Sequence, residues 1–243
     1  MKTKFYILAI LCFFISTSIE AQNKNKMMET MMGSSKLDTS TLPDAYEFSW
    51  EYKTEIKTAK NESMEMNYLI GEDKDYIGME MSGKEFKQMG KMRIVMDSKA
   101  KIMIMFMNAQ GQSMAQITKL PEQKNSNAED PGYSYKEIGT KDILGYECYG
   151  IELENADYKG TIYFTLDAPV NFSAFFAFAN NKNAPKGFDP ALLEVLEEEA
   201  LLMEMNFNHK KKKKQSFTMT AISLEKKQTV IKKKDYQFMQ MGF

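Results

Sequence analysis

Tyr46-Glu47-Phe48-Ser49-Trp50-Glu51-Tyr52-Lys53-Thr54-Glu55-Ile56-Lys57 decides the fold. Phe48, Trp50, Tyr52, Thr54 and Ile56 alternate with Ser49, Glu51, Lys53, Glu55 and Lys57. A period of two is that of a strand with one face buried, and aromatic and β-branched residues suit a pleated surface. The same reading extends downstream. Met64, Met66, Tyr68 and Ile70 predict a second strand, and Tyr76 to Met81 a third. Further strands are expected at 92–96, 101–107, 113–119, 133–138, 146–154 and 158–166. A long hairpin over 201–208 and 216–225 and a short strand near 229–231 complete the pattern. Short polar connections between such strands indicate antiparallel pairing.

Residues 171–198 break the rhythm. Phe172, Phe175 and Phe176 share helical spacing, and Asp189-Pro190 is a helix start, an acidic cap followed by proline at the first helical position. The expected architecture is mainly β: a single antiparallel, half-open, barrel-like sheet of about ten or eleven strands, with a short helical insertion (171–198) covering one side.

Outward from the strands, the N-terminus reads as an export signal. Lys2 and Lys4 precede an apolar run from Phe5 to Ile15, and Ile19-Glu20-Ala21 fits a cleavage site. That run is too short to span a bilayer, which takes about 20 residues. Residues 1–21 are therefore expected to be a signal peptide, 22–42 a flexible or helical segment, and 43–243 one β-rich domain. The expected location is the periplasm or the extracellular medium. With Cys12 in the leader, Cys148 is the only other cysteine, so an internal disulfide is excluded.

Three stretches resemble a known family: Pro43-Asp44-Ala45-Tyr46-Glu47-Phe48-Ser49-Trp50, Ile143-Leu144-Gly145-Tyr146-Glu147-Cys148 and Lys234-Asp235-Tyr236-Gln237-Phe238-Met239. Together they resemble an uncharacterised family of bacterial exported domains that looks related to the LolA/LolB-type lipoprotein carriers. The resemblance implies a half-open antiparallel barrel closed by helices, with an apolar cavity for acyl chains. It places no functional residue of the carriers on this chain.

Methionine is the most informative residue type, with 21 in the chain. Met64/Met66, Met79/Met81, Met103/Met105/Met107, Met203/Met205 and Met239/Met241 repeat a Met-x-Met spacing. Residues i and i+2 of a strand point to one face, so these pairs form stripes. The unbranched thioether adapts to variable shapes and is over-used on promiscuous surfaces. Two readings stand: a deformable cavity for an apolar or acyl ligand, with Phe172, Phe175 and Phe176 at its mouth, or ordinary core filling. Met27, Met28, Met31 and Met32 offer soft thioethers suited to Cu(I), though with no nearby His or Cys.

Charge is divided along the chain. From His209 onward ten lysines face only Glu225 and Asp235. The run Lys210, Lys211, Lys212, Lys213 and Lys214 reads either as a contact to an anionic membrane surface or as a solvated turn. Nucleic acid is not indicated, because no basic motif interleaves with aromatics.

Enzyme chemistry lacks its usual parts. His209 is the single histidine and stands beside five lysines, so neither a Ser-His-Asp nor a Cys-His arrangement has a convincing base. Zinc sites built on several His or Cys cannot be assembled, while paired carboxylates of the kind used in glycoside hydrolysis stay open among the many acidic residues. The sequence thus indicates a non-enzymatic envelope protein that needs no cofactor or metal. It holds an apolar or amphiphilic ligand in a Met-rich cavity. The alternative is an adaptor with a filled core that contacts a partner or anionic surface through its basic hairpin.

Overall fold

The structure, a computed structural model, describes residues 39–59, 63–82, 91–109, 111–119, 134–171 and 199–238. They form twelve strands: β1 (Ala45–Thr58), β2 (Ser63–Ile70), β3 (Tyr76–Ser82), β4 (Lys91–Asp97), β5 (Ile102–Ala109), β6 (Gln112–Lys119), β7 (Ser134–Ile143), β8 (Tyr146–Glu154), β9 (Tyr158–Thr165), β10 (Leu201–His209), β11 (Phe217–Lys232) and β12 (Gln237–Phe238). Hydrogen bonds link them in the order β12-β6-β5-β4-β3-β2-β1-β11-β10-β9-β8-β7, a large antiparallel sheet that is not closed.

Three details differ from the pattern expected. There are twelve strands rather than ten or eleven. β11 runs unbroken through Lys226-Lys227-Gln228, joining the strands expected at 216–225 and near 229–231, because backbone pairing continues where side-chain burial does not. The two-residue β12 runs parallel to β6, pairing Gln237 with Met114 and Phe238 with Ala115. Among the described residues there is no α-helix, only short 3-10 turns at Thr39–Thr41, Lys213–Gln215 and Lys233–Asp235. The helical insertion expected over 171–198 falls on residues outside those described, apart from Asn171, as does the leader.

The contacts divide the chain into two compact units. One takes the described residues 53–59, 63–65, 134–171 and 199–224; the other takes 39–52, 66–82, 91–109, 111–119 and 225–238. β1, β2 and β11 contribute residues to both.

In the unit containing β7–β10 the strands alternate, apart from register shifts at Leu202/Glu204 and Glu137/Gly139. Ile151 opposes Ile162, Ile162 opposes Met205, and Met205 opposes Met219, so these four share a face. Phe207 and Phe217 stack on it with ring centres 5.8 Å apart. The opposite face is polar: Glu204, Asn206, Thr161, Glu152, Thr218 and Thr220. Lys141 crosses it, pairing with Glu204 at 2.8 Å and lying 4.0 Å over the Tyr163 ring. Tyr163 covers Gly150, where a Cβ would meet its ring at 2.5 Å. The β7–β8 hairpin turns through Leu144 and Gly145, at φ 57° and 82°. Two successive left-handed residues make the turn whose twist matches that of the flanking strands, and Asp142 Oδ1 accepts the Gly145 N–H at 3.1 Å.

In the unit containing β3–β6 the core gathers Leu42, Tyr46, Phe48, Leu69, Val95, Ile102, Ile104, Phe106, Ala115 and Ile231, with Tyr76, Tyr236 and Phe238 packed against it. Tyr46 meets Tyr76 edge to face at 4.9 Å, and Phe106 meets Tyr236 at 4.8 Å. Each such side chain stabilises the fold by roughly 1.5–3 kcal/mol when fully buried. The segments before β1 and after β11 clasp this core: the Lys233 N–H donates to the Asp44 carbonyl at 2.8 Å, and its Nζ donates to the Leu42 carbonyl at 3.1 Å. The Tyr46 hydroxyl donates to Asp97 Oδ2 at 3.1 Å. Burial first, then the adjacent Asp97 charge, pushes the phenol well above its ordinary range.

Candidate methionine-lined surface

Register in β3–β6 determines which side chains share a face. Ile77 opposes Met96 and Met79 opposes Ile94. Met92, Ile94 and Met96 oppose Met107, Met105 and Met103. Met105 and Met107 oppose Gln116 and Met114. One face of four adjacent strands is therefore dominated by methionine. Val95, Ile104, Phe106 and Ala115 lie on the other face, in the aromatic core.

The methionine face extends into β2. A Cβ on Gly78 would meet Leu69 at 2.9 Å, so Leu69 belongs to the core face and Met66, Tyr68 and Ile70 to the methionine face. Tyr52 stacks on Tyr68 there, ring centres 6.0 Å apart. Met66, Met79, Met92 and Met96 are buried, whereas Met103, Met105, Met107 and Met114 are half-buried. The half-buried group lies on β5 and β6 and presents four adaptable thioether chains side by side.

Of the residues singled out from sequence, Met66, Met79, Met103 and Met105 come together on this face. Met64 is half-buried on β2, and Met81 ends β3 with its side chain outside the described residues. Met203 and Met205 are buried in the other unit. There a register shift between Leu202 and Glu204 interrupts the i, i+2 rule, so the pair does not form a simple stripe. Phe172, Phe175 and Phe176 lie outside the described residues, as do Met27, Met28, Met31 and Met32. Lys210–Lys214 are exposed at the β10–β11 turn. Met92, Met96 and Met114 were missed because none stands in a Met-x-Met pair; only cross-strand register brings them together.

The opening strand also departs from simple alternation. Phe48 shares the core face with Leu69, yet Glu51, three residues on, accepts a 3.4 Å hydrogen bond from Asn67, which is in phase with Leu69. The alternation slips by one residue between Phe48 and Glu51, as at a β-bulge. Glu51 is consequently buried, while Trp50 is half-exposed, its Nε1 donating to Glu72 Oε1 at 3.0 Å. Burial pushes the Glu51 carboxyl up. Lys227 at 3.0 Å, with Asn67 and Thr229, outweighs that effect and holds it below the ordinary carboxylate range.

Cys148 and His209 are both buried. Cys148 is buried, its Sγ donating to the Tyr146 carbonyl at 3.3 Å, and burial raises its pKa. His209 is buried at the end of β10, its ring 4.6 Å from Tyr158 and its Nδ1 accepting the Lys211 N–H at 3.3 Å. Among the described residues no three His, Cys, Asp or Glu side chains cluster as a metal site would require.

Fold and surface together define a class: an antiparallel β-sheet protein that presents a methionine-rich apolar face. Residues 52–233 match the model of a domain of unknown function, DUF4412, and the chain belongs to that family. No curated protein matches it. Among solved structures it is similar to PNGF-II (13% identity, 73% of this chain and 27% of that chain, TM-score 0.36). A second is MucB in complex with MucA(peri), at 9% identity over 72% of this chain and 49% of that chain, TM-score 0.37. A third is the LolA superfamily protein NE2245 from Nitrosomonas europaea, at 10% identity over 76% of this chain and 88% of that chain, TM-score 0.30. The chain thus spans about a quarter of PNGF-II and half of MucB.

Proposed function

We propose that this protein is exported and acts without covalent chemistry, holding an apolar or amphiphilic, lipid-like ligand against the methionine face of β3–β6. One observation carries the reading: Met103, Met105, Met107 and Met114 lie side by side and only half-buried, on the face opposite a complete aromatic core. The unit has a packing core on the other face, and Met66, Met79, Met92 and Met96 are themselves buried, so the half-buried β5–β6 part of this face is what a ligand would cover. Leucine would bury as well, and with fewer rotamers to order. Thioether chains instead re-pack around acyl chains of differing shape.

The test is uptake of a fluorescent fatty acid by delipidated protein, alongside native mass spectrometry of protein purified from its own envelope. Saturable uptake is expected. Met105→Gln together with Met107→Gln should weaken it at least tenfold, while Met105→Leu with Met107→Leu narrows the range of chain lengths accepted. Protein that purifies empty and takes up no probe would overturn the carrier reading and leave the adaptor.

A further inference from the structure

The turn between β10 and β11 carries five consecutive lysines and no acidic residue. Lys210 is engaged: its Nζ pairs with Glu154 at 2.8 Å and donates to the Asn155 carbonyl at 2.6 Å. Lys211, Lys212, Lys213 and Lys214 are exposed, and among the described residues no ion pair engages them. The acidic groups nearby are Glu152 and Glu154, both paired with Lys159, and Asp157 on the β8–β9 turn.

This cluster rests on a fixed base. The Lys210 N–H donates to the Asp157 carbonyl at 2.8 Å and the Lys211 N–H to His209 Nδ1 at 3.3 Å. The His209 N–H donates to Ser216 Oγ at 3.0 Å, and the Gln215 N–H to the Lys212 carbonyl at 2.8 Å. A merely solvating charge run needs no such anchoring. Here a buried imidazole, seated on Tyr158, holds the backbone that displays four ammonium groups.

We propose that Lys211–Lys214 form a docking knob for an anionic lipid headgroup surface. The choice of an anionic lipid surface follows from charge complementarity: four adjacent, exposed ammonium groups on a short anchored turn match the laterally continuous negative charge of an anionic bilayer. Each lysine close to an anionic bilayer increases binding about fivefold. The surface stands independently of the ligand-carrying reading, because it uses none of the methionine face.

The test is sedimentation of the protein with phosphatidylcholine vesicles, with and without phosphatidylglycerol, across a salt series. Binding is expected only with phosphatidylglycerol, weakening as salt shortens the screening length. Replacing Lys211, Lys212, Lys213 and Lys214 by Ser should weaken it about a hundredfold or more, and replacing all four by Arg should preserve it. Removing four exposed charges elsewhere (Lys74→Ser, Lys99→Ser, Lys232→Ser and Lys234→Ser) should cost far less. Equal losses from the two quadruple variants would overturn the knob in favour of net charge alone. Capture of poly-glutamate but not of anionic vesicles would overturn the lipid assignment. Circular dichroism and unchanged fatty-acid uptake by the serine variant show that the turn, and not the fold or the carrier surface, has been altered.

Discussion

The strands β7–β10 and the strands β3–β6 are of the same kind but spend their two faces differently. In the first, one face is apolar and the other is wet, crossed by ion pairs such as Lys141–Glu204. In the second, one face holds a complete aromatic core and the other is lined by methionine. A strand with one dry face needs one partner layer. Strands with two apolar faces need two, because exposed apolar area of that extent is unfavourable. On β5 and β6 the methionine face is only half-buried, and that is the part a ligand would cover in the proposed role.

Several substitutions sharpen or break this contrast. The largest effect is expected for Phe106→Ala, which opens a cavity between Tyr46, Tyr236 and Phe238 and should cost about 3–5 kcal/mol in urea unfolding. Met105→Ala, one residue away on the other face, should cost only about 1 kcal/mol, half a buried methionine, while reducing probe uptake. Similar costs for the two would mean that both faces are ordinary core. Next comes Tyr46→Phe. It removes a hydrogen bond to a buried carboxylate and should cost about 1.5–3 kcal/mol, read by the same unfolding curves. On the wet face Lys141→Ala should cost no more than about 1 kcal/mol, since its pair with Glu204 is only partly shielded from water. Smallest is Leu144→Asn, a gain of roughly 0.5–1 kcal/mol in melting experiments, because leucine is strained at φ 57° and asparagine tolerates it.

A pH titration separates a further feature of β1. Glu51 has its folded pKa lowered, so its contribution is present above the ordinary carboxylate value and is lost as pH falls through the lower folded value. Denaturation midpoints should therefore fall on acidification through that range, and the fall should be shallower in Glu51→Gln. An unchanged acid limb would show that the Lys227 contact does not perturb this carboxyl.

Most strands were legible because alternation is a local property. Tyr46, Phe48, Tyr52 and Ile56 all proved buried, and the β4–β5 hairpin fell between the strands read at 92–96 and 101–107, whereas β7 runs on to Ile143, beyond the strand read at 133–138. Trp50 and Glu51 exchanged their expected roles because a one-residue slip leaves no trace in composition. Likewise β11 continues through a polar stretch whose backbone is paired although its side chains are exposed. Met66, Met79, Met103, Met105 and Met107 were visible as Met-x-Met stripes; Met92, Met96 and Met114 became part of the surface only through register with β5.

What the chain's own residues determined was the class of element, the scarcity of histidine and cysteine and the abundance of thioethers, since each depends on residue type and near-neighbour spacing. Tertiary structure alone decided which stripes face one another, which carboxylate is buried, and that the lysine run stands on an anchored turn. Those outcomes depend on pairing between residues distant in sequence, and a period of two specifies two faces without saying what will cover either.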